Sequence, residues 1–276
     1  MKSFIKITVP LLIFLTFLLT GCNQSKLDSV WSGGTVIIDG DDQEWRSSQF
    51  VPKGEKIALG IMNDEANLYL SFRTADQQTI IRALSLGFTI WIDPKGGKRQ
   101  TFGIKYPVGT GLGEMRGLLR DRRASYDERE EQIRFLLQTQ TMTDIYGPEN
   151  YLINRIALSN DSGLKLKSAY SRGQFIFEVQ IPFTNITEQT GGPTVSPGAR
   201  IGVGFIAGEI DREALRSQMA GRGGRGGSRP GGGTGGRGGM GGSPPGGGMG
   251  RSGGGNRQMM PDAMEAWFKV KLAEQR

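Results

Sequence analysis

The sequence contains no histidine and a single cysteine, Cys22. The first absence removes the commonest general base and metal ligand, and with it every Ser-His or Cys-His arrangement and histidine-ligated haem. The second leaves no disulfide framework and no thiolate metal site. Long apolar runs are scarce too: Ile7 to Leu19 falls short of the roughly 20 residues a spanning helix needs. Gly109-Thr-Gly111-Leu-Gly113 lacks the Lys-Ser/Thr of a phosphate-cradling loop. What remains for enzyme chemistry is carboxylates alone, and the chain reads as non-enzymatic.

The start of the chain is an address. Lys2 and Lys6 precede the apolar run, and Leu19-Thr20-Gly21-Cys22 follows it. Residues 1–21 read as a secretory signal. Leu-Thr-Gly-Cys resembles the bacterial lipobox, which implies cleavage before Cys22 and lipidation, with palmitate, of that residue. Asn23 in place of an aspartate favours the outer membrane over the inner one. Residues 22–33 read as a tether, so the membrane is an expected partner through Cys22.

Charge of one sign is concentrated in one place. Losing residues 1–21 removes two of the 34 basic residues and none of the 27 acidic ones, leaving +5. Met219 to Gln258 alone holds six arginines, no acid and 21 of the 44 glycines. Such a composition buries too little apolar surface to offset ordering, and 213–261 reads as a disordered loop. Arg222, Arg225, Arg229 and Arg237 are its candidate anion contacts. Arg-Gly repeats resemble RNA-binding segments, but export disfavours nucleic acid. Anionic envelope polymers or a plain solvated spacer are the alternatives.

Around that loop the chain alternates. Leu68, Leu70 and Phe72 interleave with Tyr69, Ser71 and Arg73; Phe88, Ile90 and Ile92 interleave with Thr89 and Trp91; Phe102, Ile104 and Tyr106 interleave with Gly103 and Lys105. Period 2 means one buried and one wet face. Thr35–Gly40, Glu55–Ile61, Tyr151–Leu158, Leu164–Tyr170, Gln174–Ile181, Ile201–Ile206 and the Trp267 segment read as further strands. One surface helix is expected over Tyr126–Gln140, with Ile133, Leu136 and Leu137 at helical spacing. The expected fold is all-β with that one helix: a two-sheet antiparallel β-sandwich over 34–275, with the Gly/Arg-rich insert between the last two strands.

Ile38-Asp39-Gly40 with Trp45, Asn63-Asp64 with Asn67-Leu68-Tyr69-Leu70, Trp91-Ile92-Asp93-Pro94, Phe177-Glu178-Val179-Gln180-Ile181-Pro182-Phe183 and a Trp-bearing last strand occur in that order. Together they resemble the family-9 carbohydrate-binding modules and related DOMON-like sandwiches. The resemblance implies a β-sandwich, often with structural calcium, that binds sugar ends between aromatic rings. Asp39, Asp41 and Asp42 are the candidate calcium ligands, with a solvated Asp-rich turn as the plainer reading. Tyr69, Arg73, Trp91 and Trp267 fall on the outward face and are the candidate ligand contacts; the helix covering Trp91 is the alternative. Trp45 reads as a structural plug. The expected role is an envelope lipoprotein binding a glycan or other surface ligand. The alternative is a structural or assembly lipoprotein with no small ligand, contacting its partners through the Arg-Gly loop.

Overall fold

The computed structural model describes residues 25–41, 43–54, 56–111, 115, 124–191, 194–208 and 263–275. The leader, Cys22, Asp42 and the Arg-Gly segment with Arg222, Arg225, Arg229 and Arg237 lie outside the described residues.

Thirteen strands among the described residues form two sheets. In chain order they are β1 (Ser25–Asp28), β2 (Val30–Trp31), β3 (Gln49–Phe50), β4 (Ile57–Asn63), β5 (Asn67–Thr74), β6 (Phe88–Asp93) and β7 (Phe102–Lys105), followed by β8 (Met142–Tyr146), β9 (Leu152–Ala157), β10 (Lys165–Ser171), β11 (Gln174–Pro182), β12 (Arg200–Ala207) and β13 (Met264–Lys271). One sheet has the order β1-β13-β12-β6-β7-β8-β9; the other runs β10-β11-β5-β4-β2, with β3 also on β4. Between them lies one apolar layer. Phe72, Phe88, Phe175, Phe177 and Phe205 are fully buried in it, with Phe72 and Phe88 ring centroids 4.5 Å apart.

The β-sandwich is as the alternation dictates, and the departures lie in its accessories. Among the described residues three α-helices are present rather than one: α1 (Gln77–Leu86), α2 (Tyr126–Thr139) and α3 (Phe183–Thr190). The signals for α1 are local. Asp76 caps it by accepting from Thr79 N at 3.1 Å, Ile80, Ala83 and Leu84 share its buried side, and Gly87 ends it at φ 101°. The expected helix, α2, starts at a capping box between Ser125 and Glu128. It does not cover Trp91. It packs on β10 of the other sheet, with Ile133 and Leu137 in the main core and Arg134 Nε donating to the Tyr170 carbonyl at 3.0 Å.

Two stretches exchange roles. Thr35–Gly40 joins no ladder, whereas Ser25–Trp31, expected as part of the tether, pairs with β13 and then β4. Both pairings are parallel, in an otherwise antiparallel fold. Ser29, between them, links the sheets: its hydroxyl donates to Asn63 Oδ1 and accepts from Ala273 N, while Asn63 Nδ2 donates to the Ala273 carbonyl at 3.0 Å. Polar residues with no alternation carried no strand signal here, because β1 and β2 contribute mainly backbone hydrogen bonds.

Phe88 meets Phe72, Phe175, Phe177 and Phe205 at the centre of the core. Phe88→Ala is expected to cost about 3–5 kcal/mol in urea unfolding. A loss below about 1 kcal/mol would mean the two sheets do not pack as described.

Candidate functional site

The outer face of the six-stranded sheet is where the site is built. Gly60 and Ser71 lie side by side in register on β4 and β5, and Ser71 is opposite Glu178 on β11. The segment after Trp31 folds back across this face. Trp45, in a short 3-10 turn, is fully buried there. A Cβ at position 60 would lie 2.4 Å from the Trp45 ring, so glycine is needed beneath it. Val36, Met62 and Tyr69 complete a small apolar cluster around Trp45.

Glu178 holds this segment down. Its Oε1 accepts from Trp45 Nε1 at 2.7 Å, and its Oε2 accepts from Gly40 N at 2.8 Å and Asp39 N at 3.1 Å. The side chain is completely shielded from solvent. Burial pushes its pKa up to about 7 against the lowering pull of the Gly40 and Trp45 hydrogen bonds, and the nearby Asp39 charge adds to the rise. Gly40 has φ 90°, and a Cβ there would meet Ala169 at 2.9 Å. The Ile-Asp-Gly, Trp45 and Phe-Glu-Val elements, far apart in sequence, are thus one hydrogen-bonded unit.

Beside this clasp opens a cleft of about 680 Å³. Asp39 and Asp41 line one part of it, and Arg46, Arg73 and Arg172 reach it from three different elements. Gln43 and Gln174 add amides, and Ile176 supplies an apolar patch opposite Arg73 in the β5–β11 register. Arg172 sits at φ 51° beside Gly173 at φ 75° in the two-residue turn joining β10 and β11. That left-handed position is strained for arginine and suits Asn or Gly better. Among the described residues no aromatic ring lines the cleft.

The structure thus brings Asp39, Asp41 and Arg73 together and separates them from the other candidates. Tyr69 is a packing residue, 5% exposed, and its hydroxyl donates to Asp64 Oδ2 at 2.6 Å. Burial and the Asp64 carboxylate raise its pKa. Burial alone would raise Asp64, but hydrogen bonds from Tyr69, Ala66 N and Asn67 hold it below its usual value. Asp93 likewise fastens its own turn, accepting from Lys95 N, Gly97 N and Arg99 N.

Trp91 and Trp267 lie on the outer face of the other sheet. A row runs across it in register: Tyr146, Gly103, Trp91, Gly204, Trp267. The Trp91 ring lies over Gly103 and the Trp267 ring over Gly204, where a Cβ would come within 2.6 Å of each. These rings are not open planes. Trp91 is 0% and Trp267 9% exposed, packed with Ile206. Trp267 Nε1 donates to Glu265, whereas Trp91 Nε1 is buried with no acceptor among the described residues.

For calcium the described acids fit poorly. Asp39 Oδ1 accepts from Asp41 N at 2.8 Å and Asp41 Oδ2 from Gln43 Nε2 at 2.9 Å, as in a self-bonded Asp-rich turn. No group of three metal-ligating residues gathers among the described residues, and Asp42 lies outside them. Arg46, Arg172 and the role of Glu178 were missed in the sequence. The available signals were the Ser-Arg-Gly turn and a lone acid in an otherwise apolar strand.

No family model and no curated protein matches the chain. Among solved structures, it is similar to a family-9 carbohydrate-binding module from Caldicellulosiruptor kristjanssonii in complex with glucose, at 13% identity and TM-score 0.31, covering 69% of this chain and 81% of that one. The same module with cellotriose gives 14% and 0.31, over 68% and 80%. A putative carbohydrate-binding protein from Bacteroides uniformis gives 10% and 0.34, over 68% and 86%. Likeness at this level assigns no function, which must come from the side chains.

A carboxyl raised in the folded state gives stability that is full below its unfolded pKa of 4.5 and is lost as pH rises through about 7. Glu178 is therefore expected to lose on the order of 3 kcal/mol across that window. Comparing Glu178→Gln with the wild type by urea unfolding at pH 4.5 and 8 isolates it: the variant lacks this slope. Equal slopes would show that Glu178 is not buried as a charge. Glu178→Ala strands three donors and should cost about 3 kcal/mol or more.

Proposed function

We propose that the chain is a non-enzymatic, lipid-anchored protein of the bacterial envelope, anchored by Cys22 in the outer membrane, whose sandwich binds a saccharide in the cleft beside Glu178. The observation that carries the reading is the mixed lining of that cleft. Asp39 and Asp41 can only accept hydrogen bonds, and Arg46, Arg73 and Arg172 can only donate them. A ligand suited to both carries hydroxyl donors and acidic acceptors on one frame. A sugar bearing a carboxylate or sulfate fits that description. Inorganic phosphate offers fewer donors to the aspartates.

The absence of an aromatic ring among the described lining residues sharpens the choice. A neutral pyranose relies on its apolar face stacking on a ring, and Ile176 is a small substitute. Charge-assisted hydrogen bonds to guanidinium groups are about twice as strong as neutral ones, so acidic sugars are expected to bind better here. The Trp91–Trp267 row belongs to the opposite sheet and is closed to ligand while those rings stay buried.

The test is a glycan array probed with the purified protein, with and without calcium, alongside Arg73→Ala, Arg172→Gly and Trp91→Ala. Acidic oligosaccharides should bind, and each arginine variant should weaken them about tenfold or more while Arg172→Gly keeps or gains stability. A hit lost only in Trp91→Ala would move the site to the other sheet. No hit from folded protein would favour a structural or assembly role without a small ligand.

A further inference from the structure

The second charged concavity lies at the edge where the chain enters the fold. Lys26, Arg200, Lys269 and Lys271 line a groove of about 390 Å³ with Leu27 and a single acid, Asp28. The register explains the cluster. Lys26 of β1 is opposite Lys269 of β13, Asp28 is opposite Lys271, and Lys271 is opposite Arg200 of β12. Cross-strand neighbours in register lie on the same face, so these side chains leave the sheet together. Lys26, Arg200 and Lys271 are exposed, and none of the four cations pairs with a carboxylate among the described residues. Four like charges set side by side cost stability unless something of the opposite sign meets them.

The sequence limits how far this face is from a membrane. Three residue steps separate Cys22 from Ser25, where β1 begins. Fully extended, they span roughly 11 Å at most. Lys26 follows at once, and its long stem carries the ammonium away from the backbone. The polar headgroup layer is about 5–7 Å thick on each side of the hydrocarbon. A chain acylated at Cys22 therefore keeps the start of β1 within about 11 Å of the acylated residue, close to the headgroup layer.

We infer that the Lys26–Arg200–Lys269–Lys271 face rests on phosphate-bearing anionic lipid headgroups and acts as a second membrane contact beside the acyl anchor. The inference rests on the lipid-anchored reading above. Its chemistry is that of a polybasic patch next to a lipidation site, where each cation close to an anionic surface contributes roughly a factor of five in partitioning. Leu27, between Lys26 and Asp28, turns to the other side of β1 and packs against the main core, which fixes the strand that carries Lys26. The contact also orients the domain, because it fixes which edge of the seven-stranded sheet faces the bilayer.

The experiment uses the chain from residue 22 on with Cys22→Ser, which keeps every described strand and removes the acyl group. Co-sedimentation is measured with phosphatidylcholine vesicles, with and without about one-third phosphatidylglycerol, at low salt and at about 0.5 M. Binding is expected only to the anionic vesicles and is lost at high salt. The triple variant Lys26→Glu, Lys269→Glu, Lys271→Glu should lower it tenfold or more, and the matching triple Lys→Arg variant should keep it. The Arg-Gly segment is the internal competitor. If changing Arg222, Arg225, Arg229 and Arg237 to glutamine abolishes binding while the lysine triple retains it, the inference is overturned. Equal inhibition by free inorganic phosphate and by lipid would mark an anion site rather than a membrane face, which also overturns it. Palmitate labelling of the unmodified protein tests the anchor separately, since an unlabelled Cys22 contradicts the lipid-anchored reading whatever the vesicles show.

Discussion

A buried carboxylate organises one face of this protein. Glu178 stands on a central strand of the six-stranded sheet, sealed from water, and shares its two oxygens among the Trp45 indole and two consecutive backbone amides. Those donors come from a segment with no ladder of its own. An unpaired amide in an apolar setting costs more than the hydrogen bond it forms would contribute, so each donor constrains the carboxylate and the carboxylate constrains all three. Trp45 can lie flat only because Gly60 has no side chain beneath it. With Trp45 fixed, Arg46 beside it lines the cleft, and with Gly40 fixed, Asp39 and Asp41 line it too. The cleft is a consequence of the clasp.

The two sheet faces use glycine in the same way for different ends. On the six-stranded sheet, Gly60 admits a tryptophan that closes the surface and leaves a polar cleft beside it. On the seven-stranded sheet, Gly103 and Gly204 alternate with Tyr146, Trp91 and Trp267 and let the indoles lie flat. Large rings fit on a sheet surface when the neighbouring strands offer no Cβ. The first face carries the open, charged cleft suited to a soluble ligand. On the second, Trp91, Trp267 and Ile206 form an apolar patch in which Trp91 Nε1 has no partner among the described residues.

How much of this could be read in advance follows from what each residue had to do. Strands buried on one face announced themselves, because Leu68-Leu70-Phe72 and Phe88-Ile90-Ile92 must alternate to fill a single core. The edges β1 and β2 did not, because Ser25 to Trp31 joins the sheets through backbone pairing and a serine, with little apolar patterning. Thr35–Gly40 looked like a strand for its Thr-Val-Ile-Ile run, yet Val36 and Ile38 serve the small cluster around Trp45. Of the candidate site, Asp39, Asp41 and Arg73 were chosen on sequence but for separate reasons. That they converge, and that Tyr69 leaves them for Asp64, depends on register between strands far apart in the chain. Trp91 and Trp267 were correctly turned away from the core. Alternation gives the face of a side chain and not its exposure, so their burial was not legible.

The cleft exists as a fixed feature only if Glu178 holds Asp39, Gly40 and Trp45 as firmly as the sheet beneath them. Hydrogen exchange followed by NMR at the Gly40 amide and the Trp45 indole measures that directly. Both protons should exchange as slowly as the central amides of β11, through opening of the whole sandwich. Exchange at the rate of an exposed loop, with β11 still protected, would show that the clasp does not hold and that the cleft it forms is not a fixed feature of the protein.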